Sequence, residues 1–255
     1  MIPARLASTR LARKPLHLLA GRPLLEWVWR RVNATALFDA VVIATDSEEI
    51  ADVLRAAGAA VELTSVEHPS GTDRVAEVVR RAPYRDFPVI ANVQGDEPFL
   101  CREQIEPALV AVRDEGWEAA TVATPVGTLA EWRDPAAVKV VRDDAGAALY
   151  FSRAPVPFRR DGEPTAEELR GPRYLRHVGL YVYRREALLR WVALPEGELE
   201  RIERLEQLRP LAAGLRIAVR LVGAAPAGVD TPADAERADA RLRHELLHSG
   251  TPELA

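Results

Sequence analysis

The strongest constraint on the fold is an alternation of two hydrophobic periods, with the pentapeptide VIANV (residues 89–93) at its centre. A strand that is apolar at nearly every position is buried on both faces, as in the middle of a parallel sheet. Strand and helix patterns take turns before it. PLLEWVWRRVNAT has helical period, with Leu24, Leu25, Val28 and Val32 on one face. AVVIAT (40–45) reads as a buried strand. Asp46 and Ser47 open the helix SEEIADVLRAAG, which ends at Gly58. AAVELT is a strand and GTDRVAEVVRRA a helix with Thr72 as candidate N-cap. A further helix, EQIEPALVAVRDEG, follows VIANV. This repeated order implies an α/β chain with a doubly wound sheet and helices on both faces.

The rhythm changes after Ala119. ATVATPV, VKVVRD, ALYFSR and GPRYLRHVGLYVYR are strand patterns with few helices between them, so an antiparallel patch is expected here. RREALLRWVAL and ELERIERLEQLRPLAAG return to helical period, and RIAVRLV is a late strand. TPADAERADARLRHELLHS is a last helix, with Thr231 as cap and Pro232 at its first position. RRDGEPTAEELRG (159–171) is the best candidate for a mobile loop.

Composition excludes several classes. Of 255 residues, 48% are apolar and 28% charged, which supplies a sizeable core and argues against disorder. A net charge of −4 speaks against general nucleic-acid binding. Apolar runs such as AVVIAT are too short to cross a bilayer. The single Cys101 allows neither an internal disulfide nor a cysteine zinc site, which suits a reducing cytoplasm.

Three loops carry candidate chemistry, because open α/β sheets bind ligands beyond the carboxyl ends of their strands. The first is PARLASTRLARKP. Five basic residues (Arg5, Arg10, Arg13, Lys14 and Arg22) precede the first acid, Glu26. Small residues let backbone approach a phosphate chain, and arginine and lysine supply forked and point charges. A solvated basic loop is the competing reading. Targeting presequences are also basic, but Pro3, Pro15 and Pro23 would interrupt an amphipathic helix. The glycine-rich phosphate signatures are absent. The second loop is VQGDEP, where Asp96 and Glu97 follow a strand and either hold a hard cation or start a helix. The third is GVDTP, where Asp230 either caps the last helix or joins Asp96. Two acids about 5 Å apart repel by roughly 3 kcal/mol at an effective dielectric near 20, a penalty that a divalent ion removes.

PARLASTRLARKPL, HPSGTDRVAEVV, NVQGDEP, AVKVV, ALYFSRAPVPF, YLRHVGLYVYR, LERIERLEQLR and GVDTPADAERA, in this order, closely resemble the 3-deoxy-manno-octulosonate (Kdo) cytidylyltransferases over nearly the whole chain. The resemblance implies a Rossmann-like nucleotidyltransferase fold. It also implies one domain, 1–255, with a mostly parallel central sheet and an antiparallel dimerisation insertion at about 120–185. The implied activity joins CTP and Kdo to give CMP-Kdo and pyrophosphate for lipopolysaccharide synthesis, by a Mg²⁺-dependent homodimer in the cytoplasm, without nucleic-acid or membrane partners.

Carried residue by residue, the resemblance places Arg5, Ser8, Arg10 and Lys14 on the CTP phosphates. Arg74 falls by the nucleotide, Gln94 by its cytosine or ribose, and Asp96 and Asp230 on Mg²⁺. Arg10, Lys14, Asp96 and Asp230 form the catalytic set. Arg153, His177, Tyr181, Glu206 and Gln207 fall on the sugar acid. A bidentate guanidinium suits the Kdo carboxylate; a surface ion pair is the plainer role for Arg153. His177 reads as a satisfied strand histidine or a sugar contact in preference to a base. Lys139 is open between a snorkelling lysine and a phosphate contact.

Two departures stand out. The family reads R-L-P-G-K-P where this chain has RLARKP, so Arg13 stands where a glycine is usual; if that position takes positive φ, the loop is strained. Only Met1 and Ile2 precede P-A-R, where the family has several apolar residues, so a stub of a first strand and lower stability are expected. The alternatives are another acid sugar (sialic acid-like or amino-Kdo), a phosphonate, or a nucleotide binder without turnover.

Overall fold

The computed structural model describes residues 1–7 and 10–248. In chain order its elements begin with β1 (Ile2–Ala4), a 3₁₀ turn (Lys14–Leu16), β2 (Leu18–Leu19), β3 (Arg22–Pro23), α1 (Leu24–Ala34), β4 (Val42–Thr45), α2 (Glu48–Ala56), β5 (Ala60–Leu63), α3 (Gly71–Val79) and β6 (Val89–Val93). Then come α4 (Arg102–Arg113), β7 (Ala119–Pro125), α5 (Leu129–Arg133), β8 (Lys139–Arg142), β9 (Ala148–Ser152), α6 (Ala166–Leu169) and β10 (Leu175–Arg184). The chain finishes with α7 (Arg185–Ala193), α8 (Glu198–Glu203), α9 (Leu208–Ala212), β11 (Ile217–Leu221) and α10 (Pro232–His248). They sort into two compact units. The first holds Met1–Asp86, Asn92–Arg102 and the chain from Pro226; the second holds Phe87–Ala91 and Glu103–Ala225.

In the first unit β1, β4 and β5 form a parallel sheet, with β4 in the middle and buried along its length. Val93 N donates to Met1 O at 3.0 Å, which ties the end of β6 to β1. Leu24, Leu25, Val28 and Val32 of α1 are all buried, as their spacing requires. Trp27 lies on the same helix with its indole N–H on Leu19 O at 2.6 Å. α2 packs on β4 and β5 through Ile50, Ala51 and Leu54, and Ser47 accepts Ile50 N as its cap. α3 packs on β1 and β4. Its cap is Ser70, which accepts Asp73 N, and not Thr72, which lies inside the helix and is buried. α10 returns to this unit: Asp239 accepts Ala20 N at 2.7 Å, and Glu245 pairs with Arg31.

The second unit carries a mixed sheet in the order β11-β7-β10-β8-β9, with β6 also paired to β10. β11 and β7 are parallel; β7–β10, β10–β8 and β8–β9 are antiparallel, as the change of pattern after Ala119 foretold. Two expectations change. The segment 159–171 contains α6, capped by Thr165 with a full capping box, and its Leu169 packs with Val126, Trp132 and Tyr174. The expected single helix over 198–214 is broken into α8 and α9, because Arg204 takes a left-handed conformation with φ +54°. Glu206 and Gln207 therefore lie at a junction and not on a continuous helix face, and Gln207 is buried.

Candidate active site

Lys14 joins the opening loop to two distant acids. Its Nζ donates to Asp96 Oδ2 at 2.6 Å and to Asp230 Oδ1 at 2.7 Å. Arg10 Nη2 lies 3.1 Å from Asp230 Oδ2. The chain achieves this by close backbone approach at two glycines. A Cβ on Gly95 would meet Leu25 Cδ1 at 3.0 Å and Pro3 O at 3.2 Å, so the turn after β6 presses directly on β1 and α1. A Cβ on Gly228 would lie 3.3 Å from Asp96 O, which also accepts Val229 N at 2.9 Å. The two acidic loops are thus tied together through backbone.

The capping alternative for Asp230 is answered by its neighbours. Thr231 Oγ1 accepts Asp234 N at 3.2 Å, and Asp234 Oδ2 accepts from Asp230 N, Thr231 N and the Thr231 hydroxyl. Thr231 and Asp234 cap α10, and the Asp230 carboxylate is left to face Lys14 and Arg10. Burial pulls the Lys14 pKa down, but Asp96 and Asp230 outweigh it and raise it above the ordinary lysine value. The ammonium is therefore fully charged at neutral pH. Arg13 sits at φ +52°, the conformation anticipated from the missing glycine, and its guanidinium pairs with Glu49. An L-residue there costs about 1–2 kcal/mol.

In the same unit, a cavity of about 390 Å³ is lined by Arg5, Leu6, Ala7, Asp46, Ser47, Val66, His68 and Arg74. Its size suits a small organic ligand. It brings together Arg5 and Arg74, which the sequence had placed at the nucleotide. Arg74 is buried, with Nη2 on Asp46 Oδ2 at 2.6 Å and Nη1 on the Thr64 hydroxyl and Ser65 O. Asp46, read from sequence only as a helix opener, is its counter-ion. His68 pairs with Glu77, a carboxylate that burial would raise but that Ser65 N–H, His68 and Arg81 bring down to about 2. Gln94 is exposed just beyond β6 and does not line the cavity. Ser8 lies outside the described residues.

The second unit gathers a separate polar set around an irregularity in β10. Val178 pairs with Val122, yet Tyr181 pairs with Thr121, so Gly179 and Leu180 bulge out of the ladder. The bulge brings the His177 and Tyr181 rings to 5.1 Å, and Phe151 meets His177 edge-on at 5.4 Å. His177 shares a 2.7 Å hydrogen bond with Thr121 Oγ1; burial, and secondarily Arg176, lower its pKa to about 3, so the ring is neutral. Tyr181 is buried, and its hydroxyl has no hydrogen-bond partner among the described residues; burial foremost, then Tyr183 and Glu206, raise its pKa well above the ordinary value. The Glu206 contribution places that carboxylate in the same electrostatic neighbourhood.

Among the described residues, Arg153 forms no surface ion pair. Its Nε donates to Glu203 O at 2.7 Å, Nη1 to Pro135 O at 2.9 Å and Nη2 to Arg204 O at 3.3 Å, while Glu203 Oε2 accepts its backbone N. Sequence reasoning missed Glu203, which also accepts the Ser152 hydroxyl at 2.6 Å. One acid in a run of charges carries no signal until the fold sets it beside β9. Lys139 is fully buried with Nζ on Asp134 O and Ala137 O at 2.6 and 2.5 Å. It is a lysine clasped by backbone carbonyls and does not snorkel.

Among the described residues, no group of three or more His, Cys, Asp or Glu side chains converges as a metal cage, and no helix is long and apolar enough to cross a membrane. A family model described as Cytidylyltransferase matches residues 1–217. A 3-deoxy-manno-octulosonate cytidylyltransferase of Gemmatimonas aurantiaca is 46% identical over 249 residues, 98% of this chain and 95% of its own length. One from Syntrophotalea carbinolica is 44% identical over 246 residues, 95% of this chain and 97% of its own length. Among solved structures, a CMP:2-keto-3-deoxy-manno-octonic acid synthetase complexed with CTP aligns with TM-score 0.86 and 39% identity over 96% of this chain and 97% of that one. A 4-diphosphocytidyl-2C-methyl-D-erythritol synthase from Anaerococcus prevotii, at TM-score 0.59 and 16% identity over 95% of this chain and 98% of that one, shares the fold alone. With near-complete coverage at this identity, the chain belongs to the 3-deoxy-manno-octulosonate cytidylyltransferase family.

Proposed function

We propose that this protein joins CTP to Kdo, giving CMP-Kdo and pyrophosphate for lipopolysaccharide synthesis. The anomeric hydroxyl oxygen bonds to the α-phosphorus, the bond from that phosphorus to the pyrophosphate oxygen breaks, and the hydroxyl proton is lost. The observation that carries this reading is the single ammonium of Lys14 held between Asp96 and Asp230, with Arg10 on the outer acid. A cationic loop fixed at a strand-end acidic pair suits a metal-bound triphosphate, whose leaving group gathers negative charge as the bond breaks. Arg10 and Lys14 stabilise that charge, Arg5 and Arg74 hold the nucleotide in the cavity they line, and Gln94 approaches the nucleoside.

Asp96 and Asp230 fit Mg²⁺. Both are hard oxygen donors, and both reach one cation position, the one that Lys14 Nζ fills. Two carboxylates are a usual protein share for Mg²⁺, the rest being phosphate oxygens and water. When bound, the ion would polarise the phosphoryl oxygens.

Arg153, His177, Tyr181, Glu206 and Gln207 bind the sugar acid. The buried Tyr181 hydroxyl supports this, since a sugar hydroxyl would satisfy it. The exposed Leu149, Phe158, Leu199 and Ile202 of the second unit support assembly as a homodimer. The need for CTP supports a cytoplasmic location. The test is pyrophosphate release from each nucleoside triphosphate with Mg²⁺ and a panel of acid sugars. Release only with CTP and Kdo is expected; CTP binding without release from any pair would overturn the assignment.

A further inference from the structure

The hydroxyl of Thr121 makes two contacts, and it has only one proton. Its Oγ1 lies 2.6 Å from Leu180 O and 2.7 Å from His177 Nε2. A carbonyl oxygen can only accept, so the proton of Thr121 goes to Leu180 O. The same oxygen must then accept from His177, and Nε2 must carry the imidazole proton. Nδ1 is left as the bare lone pair. It has no partner among the described residues, and the residue as a whole is half-buried.

The origin of this arrangement is the bulge. With Gly179 and Leu180 out of register with β7, the Leu180 carbonyl accepts the Thr121 hydroxyl. Thr121, fully buried on β7 opposite Tyr181, supplies that donor and fixes the histidine in the same stroke.

We infer that Thr121 is a positioning residue that holds His177 as the Nε2–H tautomer, so that Nδ1 accepts a hydrogen bond from a hydroxyl of the sugar substrate. This rests on the assignment of His177 to the sugar site. The opposite tautomer would present an N–H to the substrate and leave Thr121 facing a bare nitrogen. The low pKa of the ring agrees, because burial first, and then the charge of Arg176, keep it neutral and leave one nitrogen as a lone pair.

The test combines ¹⁵N spectroscopy of the free enzyme with kinetics. In the wild-type protein, long-range ¹H–¹⁵N correlations should show His177 protonated at Nε2; protonation at Nδ1 overturns the inference without any variant. Thr121→Val keeps the shape and removes the hydroxyl. It should yield mixed tautomers and raise the KM for Kdo about tenfold, the scale of one lost hydrogen bond, with the KM for CTP within twofold. Thr121→Ser should restore both the Nε2–H signature and most of the KM. If His177→Ala raises the KM for Kdo while Thr121→Val changes neither tautomer nor KM, the inference falls and the sugar-site assignment survives. If His177→Ala leaves the KM for Kdo unchanged, both fall.

Discussion

Gly228 and Asp96 meet backbone to backbone: a Cβ at residue 228 would stand 3.3 Å from the Asp96 carbonyl oxygen and 3.5 Å from the Glu97 carboxyl carbon. This contact sets how close the two acidic loops lie, and through them the position of Lys14. Gly228→Ala should push the loops apart by a few tenths of an ångström. The expected result is a fall in kcat/KM of tenfold or more with a stability loss of only about 1–2 kcal/mol. Steady-state assays beside a denaturant titration check it, and unchanged kinetics would detach the backbone contact from the site.

Asp96→Asn keeps the shape and removes a charge. Turnover should fall about a hundredfold or more, comparable with the loss of one preorganised electrostatic contact. Near-normal rates at saturating Mg²⁺ would remove Asp96 from the catalytic set.

The Lys14 pKa is raised in the folded state, so its contribution to stability is fully present below the unfolded value of 10.5 and is lost as the pH rises through the folded value. The unfolding midpoint should hold steady from pH 7 to 9 and fall above about 10.5. Lys14→Met should remove much of that alkaline dependence and lower stability at pH 7, because Asp96 and Asp230 then lose the ammonium between them and only Arg10, on the outer acid, offsets their charge. Denaturant midpoints across the alkaline range decide it.

Glu77 gives the opposite sign. Its folded pKa is depressed from 4.5 to about 2, so the stability it supplies is present above pH 4.5 and lost as the pH falls toward 2. Glu77→Gln should flatten the acid limb of the stability profile over that interval. An acid limb identical to that of the wild type would show that the Ser65, His68 and Arg81 contacts contribute little.

Arg13 separates strain from charge. Arg13→Gly relieves the left-handed backbone but loses the pair with Glu49, which is exposed and contributes about 0–1 kcal/mol. Arg13→Ala loses the same pair and keeps the strain. The glycine variant should be the more stable of the two by about 1 kcal/mol. Equal midpoints would mean that the loop relaxes around residue 13.

What the sequence disclosed was periodicity and local chemistry. The buried face of α1, the strand VIANV and the cap at Thr231 follow from spacing alone, and the resemblance marked residue 13, usually glycine, as a position where a positive φ would strain the loop. Ser70 was passed over for Thr72 because both can cap and only the backbone turn distinguishes them. The break at Arg204 had no signal, since arginine favours helix and tertiary packing overrode it. Lys14, Asp96 and Asp230 lie far apart in the chain and were joined by resemblance, whereas Thr121 and Glu203 act through partners that only the fold supplies.

Tyr181 allows binding and stability to be pulled apart. Its hydroxyl is buried with no hydrogen-bond partner among the described residues, a state that costs about 1–3 kcal/mol in the free protein. Tyr181→Phe removes the hydroxyl and keeps the ring that contacts His177, Tyr183 and Trp191. The variant should therefore be as stable as the wild type or slightly more so. If the hydroxyl is held in reserve for the sugar acid, the same variant should raise the KM for Kdo about tenfold and leave the KM for CTP unchanged. A purely structural tyrosine predicts the reverse pattern, lower stability with intact KM values. Thermal melts and two-substrate kinetics on one preparation distinguish the two, because the hydroxyl cannot be satisfied both by the folded chain and by the substrate.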